Sequence, residues 1–332
     1  MTASGSGARR WRVRASAKIN LTLRVLGIRA DGYHELRTTF QSLAVHDTLT
    51  FERARGPFAI SSDDPRCPTD ASNLVWKAAA ALWKANGKTG ELSGVRVHIR
   101  KRIPMEAGLG GGSSDAAATL LALRAVWRSR LTNLDLADIG RTLGADVPFF
   151  LDGGTALGVE RGDLLFPLVD ASPAWVVIAR PAFGVSTRDA YGWWDEAFLA
   201  AGGAAVSGAS AGRAAVPPAG TKLSKITRKR ASAGFAVISH AVRSADAGND
   251  LQGPVCLRHP EILSLINTLQ RAGARMAAMS GSGSAVFGLF DDRETAQATG
   301  ATLSRRADLS VWVTRTTTRR QHLRASAPQV IG

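Results

Sequence analysis

A glycine-rich loop in front of an alanine-rich helix is the strongest chemical signal in the sequence. The loop runs from Pro104 to Asp115, and four of the five residues at positions 108–112 are glycine. Because glycine has no Cβ, a ligand can approach such a backbone closely. The free N–H groups and the positive dipole end of a helix start favour a phosphate. The loop therefore predicts a phosphate-binding site.

This loop differs from two common nucleotide-binding patterns. No Gly-Lys-Ser/Thr follows it, which excludes a Walker A loop. Ser113 stands where the dinucleotide pattern G-x-G-x-x-G has its third glycine. The hydroxyl groups of Ser113 and Ser114 could add hydrogen bonds to a phosphate or support a phosphate-bound Mg²⁺.

Two charged residues lie within apolar stretches and each needs a partner. Lys18 lies in Ala15–Asn20, and Asp146 lies between Ala145 and Val147 with two phenylalanines following. A partly desolvated charge needs compensation. A Lys–Asp pair beside a phosphate loop suits phosphoryl transfer, with Asp accepting the proton of a hydroxyl and Lys orienting it. The alternatives are a helix N-cap for Asp146 and an ordinary structural ion pair for Lys18.

A second small-residue loop, Ser280–Ser284, separates two apolar runs. It could contact a phosphate or a substrate, or it could be a hairpin turn with a bulge. The residues alone leave both interpretations open.

The elements that must position these groups show strand and helix patterns in an α+β arrangement. A helix after the glycine loop would have Ser113 or Ser114 as its N-cap and Asp115 in its first turn. The predicted strands cover residues 11–26, 40–51, 94–99, 176–179, 277–290 (two strands around a tight loop) and 311–313. The predicted helices cover residues 72–85, 116–127, 134–143, 260–270 and 293–304.

Composition limits the class of protein. The chain has 332 residues and 45% hydrophobic residues, which is enough for a packed core and typical of about two domains. No stretch approaches the about 18 apolar residues of a membrane span, and no apolar run suited to a secretory signal follows the N-terminal arginines. Cys67 and Cys256 are too few for a disulfide framework. We therefore expect a soluble cytoplasmic protein without a membrane partner.

The net charge of +15 is concentrated in particular segments. Residues 198–245 hold seven basic side chains and no acidic one, and the two ends of the chain hold more arginines. Nucleic-acid or anionic-surface binding is one interpretation. A solvated insert with solvated tails is the other, and we favour it because no aromatic residues are interleaved with the basic ones.

Taken together, these segments resemble the GHMP kinase superfamily. The resemblance rests on Ala17–Leu21, the loop at 104–115, Gly144–Phe149 and Ser280–Gly283, in this order. Arg29–Leu36 and Gly248–Leu251 narrow it to the branch that phosphorylates a cytidylated alcohol. It covers about residues 11–315.

The resemblance implies a two-domain α+β fold with its active site in the cleft between the domains. Residues 1–170 would form an N-terminal domain like ribosomal protein S5 domain 2. Residues 171–332 would form a ferredoxin-like domain with a flexible basic insert at about 200–231. The implied reaction transfers the ATP γ-phosphate to the 2-hydroxyl of 4-diphosphocytidyl-2-C-methyl-D-erythritol in the non-mevalonate isoprenoid pathway, with Mg²⁺ as cofactor.

The resemblance also implies residue roles. Lys18 and Asp146 match the catalytic pair, and Asn20, Tyr33, His34 and, more loosely, Tyr191 match substrate-binding positions. An aromatic face of this kind can stack on cytidine. The ATP-binding positions are Pro104, Met105, Glu106, Ala107, Gly108, Leu109, Gly110, Gly111, Gly112, Ser113 and Ser114. No metal ligand is assigned, and both monomer and homodimer remain open.

Two departures from the family pattern and two alternative functions remain. The basic insert is one departure, and the stretch Gly158–Gly162 is less glycine-rich than usual, so no role is carried onto Glu160 or Arg161. The first alternative function is that of another kinase of the superfamily, of the homoserine or mevalonate type. The motif at residues 31–34 argues against it, because those relatives lack this motif. A nucleic-acid-binding protein on an S5-like fold would not need both Lys18 and Asp146.

Overall fold

The computed structural model describes residues 9–201 and 248–331. The predicted basic insert lies outside the described residues from position 202 onward.

Within the described residues, twelve strands form two sheets. They are β1 (Arg10–Ile28), β2 (His34–Pro57), β3 (Ala59–Ser62), β4 (Ser93–Arg100), β5 (Thr155–Glu160), β6 (Leu164–Pro167), β7 (Trp175–Pro181), β8 (Gly248–Asn249), β9 (Met276–Met279), β10 (Val286–Phe290), β11 (Leu309–Arg315) and β12 (Gln329–Ile331).

The described ranges contain nine helices. They are α1 (Leu74–Ala85), α2 (Gly111–Val126), α3 (Asn133–Leu143), α4 (Phe149–Asp152), α5 (Thr187–Ala200), α6 (Gln252–Arg258), α7 (Pro260–Arg271), α8 (Arg293–Leu303) and α9 (Arg319–Ser326).

The first sheet has the strand order β12-β1-β2-β4-β3, with β5 and β6 attached to β2 and β8 to β1. Residues of β1 alternate at its start: Trp11, Val13 and Ala15 are buried. They pack in one hydrophobic core with α1 and α2, represented there by Val75 and Leu120. This face of the sheet carries the helix that follows the glycine loop.

The second sheet has the order β11-β7-β10-β9, and all its neighbouring strands are antiparallel. Numbered along the chain, this is the order 4-1-3-2 of a β-α-β-β-α-β ferredoxin-like unit. Ala17 and Ile19 of β1 share a core with Ile178 and Phe287 of the second sheet. The two sheets therefore pack against each other, which creates the cleft.

Two late strands join the first sheet. β8 pairs with β1 in parallel, and β12 pairs with β1 antiparallel, although both follow the predicted division at residue 170. A division between residues 170 and 171 therefore does not separate the two sheets. The predicted domain boundary stays a prediction.

The predicted cap of the glycine-loop helix is wrong. The N-cap of α2 is Gly110 in a left-handed conformation with φ 72°, and no side chain caps the helix. Asp115 lies beyond the first turn and is buried in an ion pair, so it does not complement the helix end. The structure leaves the N–H groups at the helix start without a side-chain partner.

The last described helix, α9, holds a buried histidine against α4. The Nε2 atom of His322 lies 2.9 Å from the carbonyl oxygen of Phe150, and its Nδ1 atom lies 3.4 Å from Ser42 Oγ. A Cβ on Gly153 would lie 2.2 Å from the imidazole. Burial lowers the pKa of His322 below its ordinary value. The fold therefore favours the neutral ring.

We expect this histidine to make the protein less stable in mild acid. The folded state resists protonation of His322, whereas the unfolded chain binds the proton near pH 6.5, so stability falls as pH drops from about 6.5 towards the lowered pKa. Urea unfolding of the wild type and His322→Gln at pH 7.5 and 5.5 measures this. The variant should lose less free energy of unfolding between the two pH values. Equal losses would remove His322 as a cause.

Candidate active site

A cavity of about 1360 Å³ lies where the two sheets meet. Its walls come from β1, β2, the glycine loop, the turn before α4, α5 and the loop between β9 and β10. Lys18, Asn20, Tyr33, His34, Asp146 and Tyr191 all line it, as do residues 104–113. Ser114 does not line it and is buried beneath. The structure thus brings most of the predicted site residues to one cavity.

The glycine loop packs tightly against the loop between β9 and β10. Ser280 donates its hydroxyl to the carbonyl oxygen of Gly108 at 3.0 Å, and a Cβ on Gly108 would lie 1.9 Å from the carbonyl oxygen of Ser280. A Cβ on Gly110 would lie 2.7 Å from the ring of Phe150. The glycines therefore serve backbone packing as well as ligand approach. The Ser280–Ser284 loop thus packs against the glycine loop. Its residues Gly281 and Ser282 also line the cavity.

A methyl group at Gly108 should be strongly destabilising. Gly108 has φ 70°, so Gly108→Ala combines left-handed strain with a backbone clash and should lower the free energy of unfolding by about 2 kcal/mol or more. Gly112→Ala is the matched control. Its Cβ would lie 3.5 Å from Leu74 in a helix, so its stability should stay level or rise. Urea unfolding compares the two, and equal effects would contradict the packing argument.

Lys18 and Asp146 meet at the centre of the cavity. Lys18 Nζ lies 3.4 Å from Asp146 Oδ2 and donates to Asn20 Oδ1 at 2.6 Å. Asn20 in turn donates to Thr38 Oγ1 at 2.7 Å. Lys18 is 3% exposed, whereas the Asp146 side chain is 32% exposed and open to a ligand. The N-cap of α4 is Pro148, so Asp146 is not a helix cap.

A buried cluster of one lysine and two carboxylates lies behind the glycine loop. Lys101 Nζ contacts Asp47 Oδ2 at 2.5 Å and Asp115 Oδ2 at 2.8 Å. Burial alone would lower the pKa of Lys101, but the two carboxylates outweigh it and raise that pKa. Burial raises the pKa of Asp115 although Lys101 opposes the shift. The Lys101 ammonium joins β2 and β4 to α2 and also reaches the cavity wall.

Aromatic side chains gather at the opposite end of the cavity. His34 stacks on Tyr191 of α5 with ring centroids 4.5 Å apart and meets the edge of Trp194. Asp195 Oδ1 lies 2.7 Å from His34 Nε2. Burial is the main cause that raises the pKa of the Tyr191 phenol, and the negative charge of Asp146 raises this pKa further. Tyr191 therefore lies within electrostatic reach of Asp146, and this end can bind a flat ring.

Tyr33 lies farther out than its neighbour His34. It is 57% exposed, and the guanidinium of Arg161 lies over its ring at 5.1 Å. Arg161 also pairs with Asp163 at 2.6 Å and lines the cavity. Glu160, just before it, has φ 59°, a conformation that favours glycine. The sequence predicted no role for Arg161, because Glu160 stands where the left-handed turn would favour glycine.

The segment Gly248–Leu251 holds the second loop in place. Asn249 donates to the carbonyl oxygens of Met279 and Gly281 at 2.9 and 2.7 Å. Asp250 accepts from Arg24 at 2.6 Å and from the N–H of Val25 at 2.9 Å. This segment connects β1 to the Ser280–Ser284 loop, which packs against the glycine loop. It therefore contacts the elements that form the cavity but does not line the cavity.

Other cavity residues also escaped sequence reasoning. Thr38, Lys101, Arg188 and Asp195 line the cavity. Lys101 had a usable signal, because a lysine between an alternating strand and the glycine loop needs a buried partner. Thr38, Arg188 and Asp195 had none, since their positions depend on the pairing of β1 with β2 and on the packing of α5.

Residues 9–201 and 248–331, the part of the chain that the structure describes, lack two features. No helix there is long and apolar enough to span a bilayer. The same ranges hold no group of three or more His, Cys, Asp or Glu side chains placed to bind a metal ion.

The cavity therefore combines three features. The start of α2 at the glycine loop, the lysine–aspartate pair and the stacked rings all line it. This arrangement can hold a phosphate donor and an aromatic acceptor molecule with a proton acceptor at their junction.

Comparisons with known proteins agree with this layout. The family model for the GHMP kinases N terminal domain matches residues 73–154, and the one for GHMP kinases C terminal matches residues 239–308. The chain is 41% identical to the 4-diphosphocytidyl-2-C-methyl-D-erythritol kinase of Moorella thermoacetica, covering 85% of this chain and 91% of that one. It is 39% identical to the kinase of the same name from Gloeobacter violaceus, covering 92% and 94%.

Solved structures point the same way. A crystal structure of 4-(cytidine 5'-diphospho)-2C-methyl-D-erythritol kinase superposes with a TM-score of 0.68 at 33% identity, covering 92% of this chain and 98% of that one. A homoserine kinase from Cytophaga hutchinsonii, at 18% identity and a TM-score of 0.61, covers 100% of this chain and 99% of its own and shares the fold. With relatives this similar over nearly its whole length, the chain belongs to the 4-diphosphocytidyl-2-C-methyl-D-erythritol kinase family of GHMP kinases.

Proposed function

We propose that this chain transfers the γ-phosphate of ATP to the 2-hydroxyl group of 4-diphosphocytidyl-2-C-methyl-D-erythritol. The observation that carries the proposal is the 3.4 Å contact between Lys18 and Asp146, placed between the glycine loop and the stacked pair of His34 and Tyr191. Family membership supplies the identity of the acceptor, because the named relatives act on that alcohol by name.

Asp146 is the proton acceptor in this proposal. The substrate hydroxyl oxygen forms a bond to the γ-phosphorus while the bond from that phosphorus to the β–γ bridging oxygen breaks and ADP leaves. The hydroxyl proton goes to Asp146 Oδ2, which is exposed enough to meet it. Lys18 is held by Asn20 and orients the hydroxyl while balancing the moving negative charge. A tertiary alcohol is hindered, so positioning by this pair matters as much as basicity.

The glycine loop is the ATP site in this proposal. The first N–H groups of α2 have no side-chain partner and would face a phosphate, and the left-handed Gly108 and Gly110 let the loop pack closely against Ser280 and Phe150, which fixes its shape. A Mg²⁺ ion bound mainly by phosphates needs only one or two protein oxygens. Ser113 lines the cavity and the Ser114 hydroxyl is buried without a partner, so both fit that need. When bound, the ion would neutralise phosphate charge.

The aromatic end would hold the cytosine ring. His34 and Tyr191 present stacked faces, and Asp195 fixes the orientation of His34 through its Nε2 atom. Tyr33 with Arg161 above it forms the outer rim, where a guanidinium can meet the diphosphate of the substrate. Asn20 lies beside Lys18 and completes the substrate-binding set.

All of these groups come from one chain, so the proposed site is compatible with either predicted assembly, monomer or homodimer. The proposed reaction also suits the cytoplasmic location that the sequence predicts.

The test is ADP release by the purified chain with Mg-ATP and three separate alcohols. We expect turnover with 4-diphosphocytidyl-2-C-methyl-D-erythritol and none above background with homoserine or mevalonate. Turnover with another alcohol would keep the kinase and overturn the assignment of the aromatic end. No turnover with any alcohol, from protein that melts cooperatively and binds ATP, would overturn the proposal.

A further inference from the structure

The outer face of the first sheet carries a groove of about 320 Å³ that the kinase reaction does not use. It runs across β1, β2 and β4. The strand pairing defines its floor as two rows. Arg12, Thr50 and His98 lie opposite one another in the first row, and Arg14, Thr48 and Arg100 form the second.

The alternation of the strands separates this groove from the core. Residues that lie between the two rows, such as Val13, Leu49 and Ile99, point the other way and are buried against α1 and α2. Each residue of a strand points to the opposite face from its neighbours. The groove and the catalytic cavity therefore share no lining residue.

The groove has cations and hydroxyl groups but no acid. His46 completes the lining, which contains no Asp or Glu. Within the part of the chain that the structure describes, Arg12, Arg14 and Arg100 make no ion pair. Other arginines in the same ranges do have carboxylate partners, as Arg29 and Arg306 show. Three guanidinium groups on one small surface repel each other, and an anion would remove that repulsion.

The arrangement selects a particular kind of anion. Arg12 and Arg14 border one side of the groove from β1, and Arg100 borders the other from β4, about 9–10 Å away across two strand spacings. Threonine hydroxyls lie between them on β2 and can donate hydrogen bonds. Guanidinium groups bind phosphate oxygens through paired hydrogen bonds. Linked phosphates would present negative charge to both sides at once.

We propose that this groove is a second anion site of the protein, which binds small molecules carrying two or more linked phosphates. It is independent of the proposed kinase reaction, because it lies on the opposite face of the sheet from the glycine loop.

The test measures binding of inorganic triphosphate to the full chain by calorimetry. Because the glycine loop can also bind triphosphate, each titration is fitted to two independent sites, and the affinity compared is that of the site that the groove substitutions change. Wild type is compared with Arg12→Ser/Arg100→Ser and with the control Arg130→Ser/Arg305→Ser, which removes the same charge from exposed positions elsewhere. We expect the groove variant to bind at least tenfold more weakly and the control to bind within twofold of wild type.

Three outcomes would overturn the proposal. Unchanged affinity in the groove variant would place the anion elsewhere, and equal weakening in both variants would show an effect of net charge alone. Tighter, groove-dependent binding of single-stranded RNA than of triphosphate would make this a nucleic-acid surface. Parallel titrations with inorganic diphosphate and with CDP then distinguish free linked phosphates from a nucleoside diphosphate as the ligand. At the site that the groove substitutions weaken, equal affinity indicates recognition of the phosphates alone, and tighter CDP binding indicates recognition of a nucleoside diphosphate.

Discussion

Asp146→Asn is expected to lower turnover about 10²–10⁴-fold, the usual contribution of a general base. Asparagine keeps the size of the side chain but cannot take a proton from the substrate hydroxyl. ATP binding should be largely retained, because Asp146 belongs to the turn before α4, whereas in the proposed site the N–H groups of the glycine loop would bind the phosphates. Single-turnover measurement of phosphorylated product, with ATP affinity measured separately, distinguishes the two effects.

Asp152→Asn is the matched control for this variant. Asp152 lies six residues later, at the end of α4, is exposed, and does not line the cavity. Its turnover should stay near that of wild type. Unchanged single-turnover rates in Asp146→Asn would remove this carboxylate from the mechanism. A large loss of ATP affinity in that variant would give it a different role.

Lys101→Met is expected to lower the free energy of unfolding by about 3–5 kcal/mol, because removing one partner of a buried ion pair leaves uncompensated charge. Here two carboxylates, Asp47 and Asp115, would remain buried without their cation. One Asp115 oxygen already has no hydrogen-bond partner. Against a total stability of about 5–15 kcal/mol, such a loss is severe. Urea unfolding followed by circular dichroism gives the value.

A neutral triple variant separates charge from packing. Asp47→Asn/Lys101→Met/Asp115→Asn removes all three charges, while the side-chain oxygen at 47 can still accept from the N–H groups of Arg102 and Ile103. It should be more stable than Lys101→Met alone, since no unpaired charge remains. If the triple variant is as unstable as the single one, the lysine stabilises the fold through its packing and not through its charge.

Local patterns made much of the fold predictable. The alternation around Val13 and the apolar period of α7 mark elements whose burial is decided by their own sequence. Helix α5 was missed although Ser186 caps it by accepting from the N–H of Asp189, and a serine three residues before an acid is a usable start signal. The short strands β8 and β12 had no local signal, because they exist only through pairing with β1.

The candidate site divides in the same way. The glycine loop, Lys18 and Asp146 could be predicted because each conflicts with its local surroundings. The 3.4 Å contact between the two charged residues could not, since it depends on how α4 follows α3 and packs on α2. The serine cap of α2 was wrong because Gly110 adopts the left-handed conformation that turns the chain into the helix. Arg161 gave no signal at all.

The position of β1 also determines when one edge of the first sheet becomes covered during synthesis. Its outer edge is covered by β8 and by β12, whose residues 329–331 are the last that the structure describes. On the ribosome, where the N-terminal part emerges first, β1 and β2 can pair early, but the edge at residues 10–12 stays open until β12 has emerged. An uncovered strand edge is a template for pairing with other chains. The nascent protein is therefore more prone to aggregate in the interval before β12 emerges, and a stop codon ahead of β12 would leave this edge uncovered.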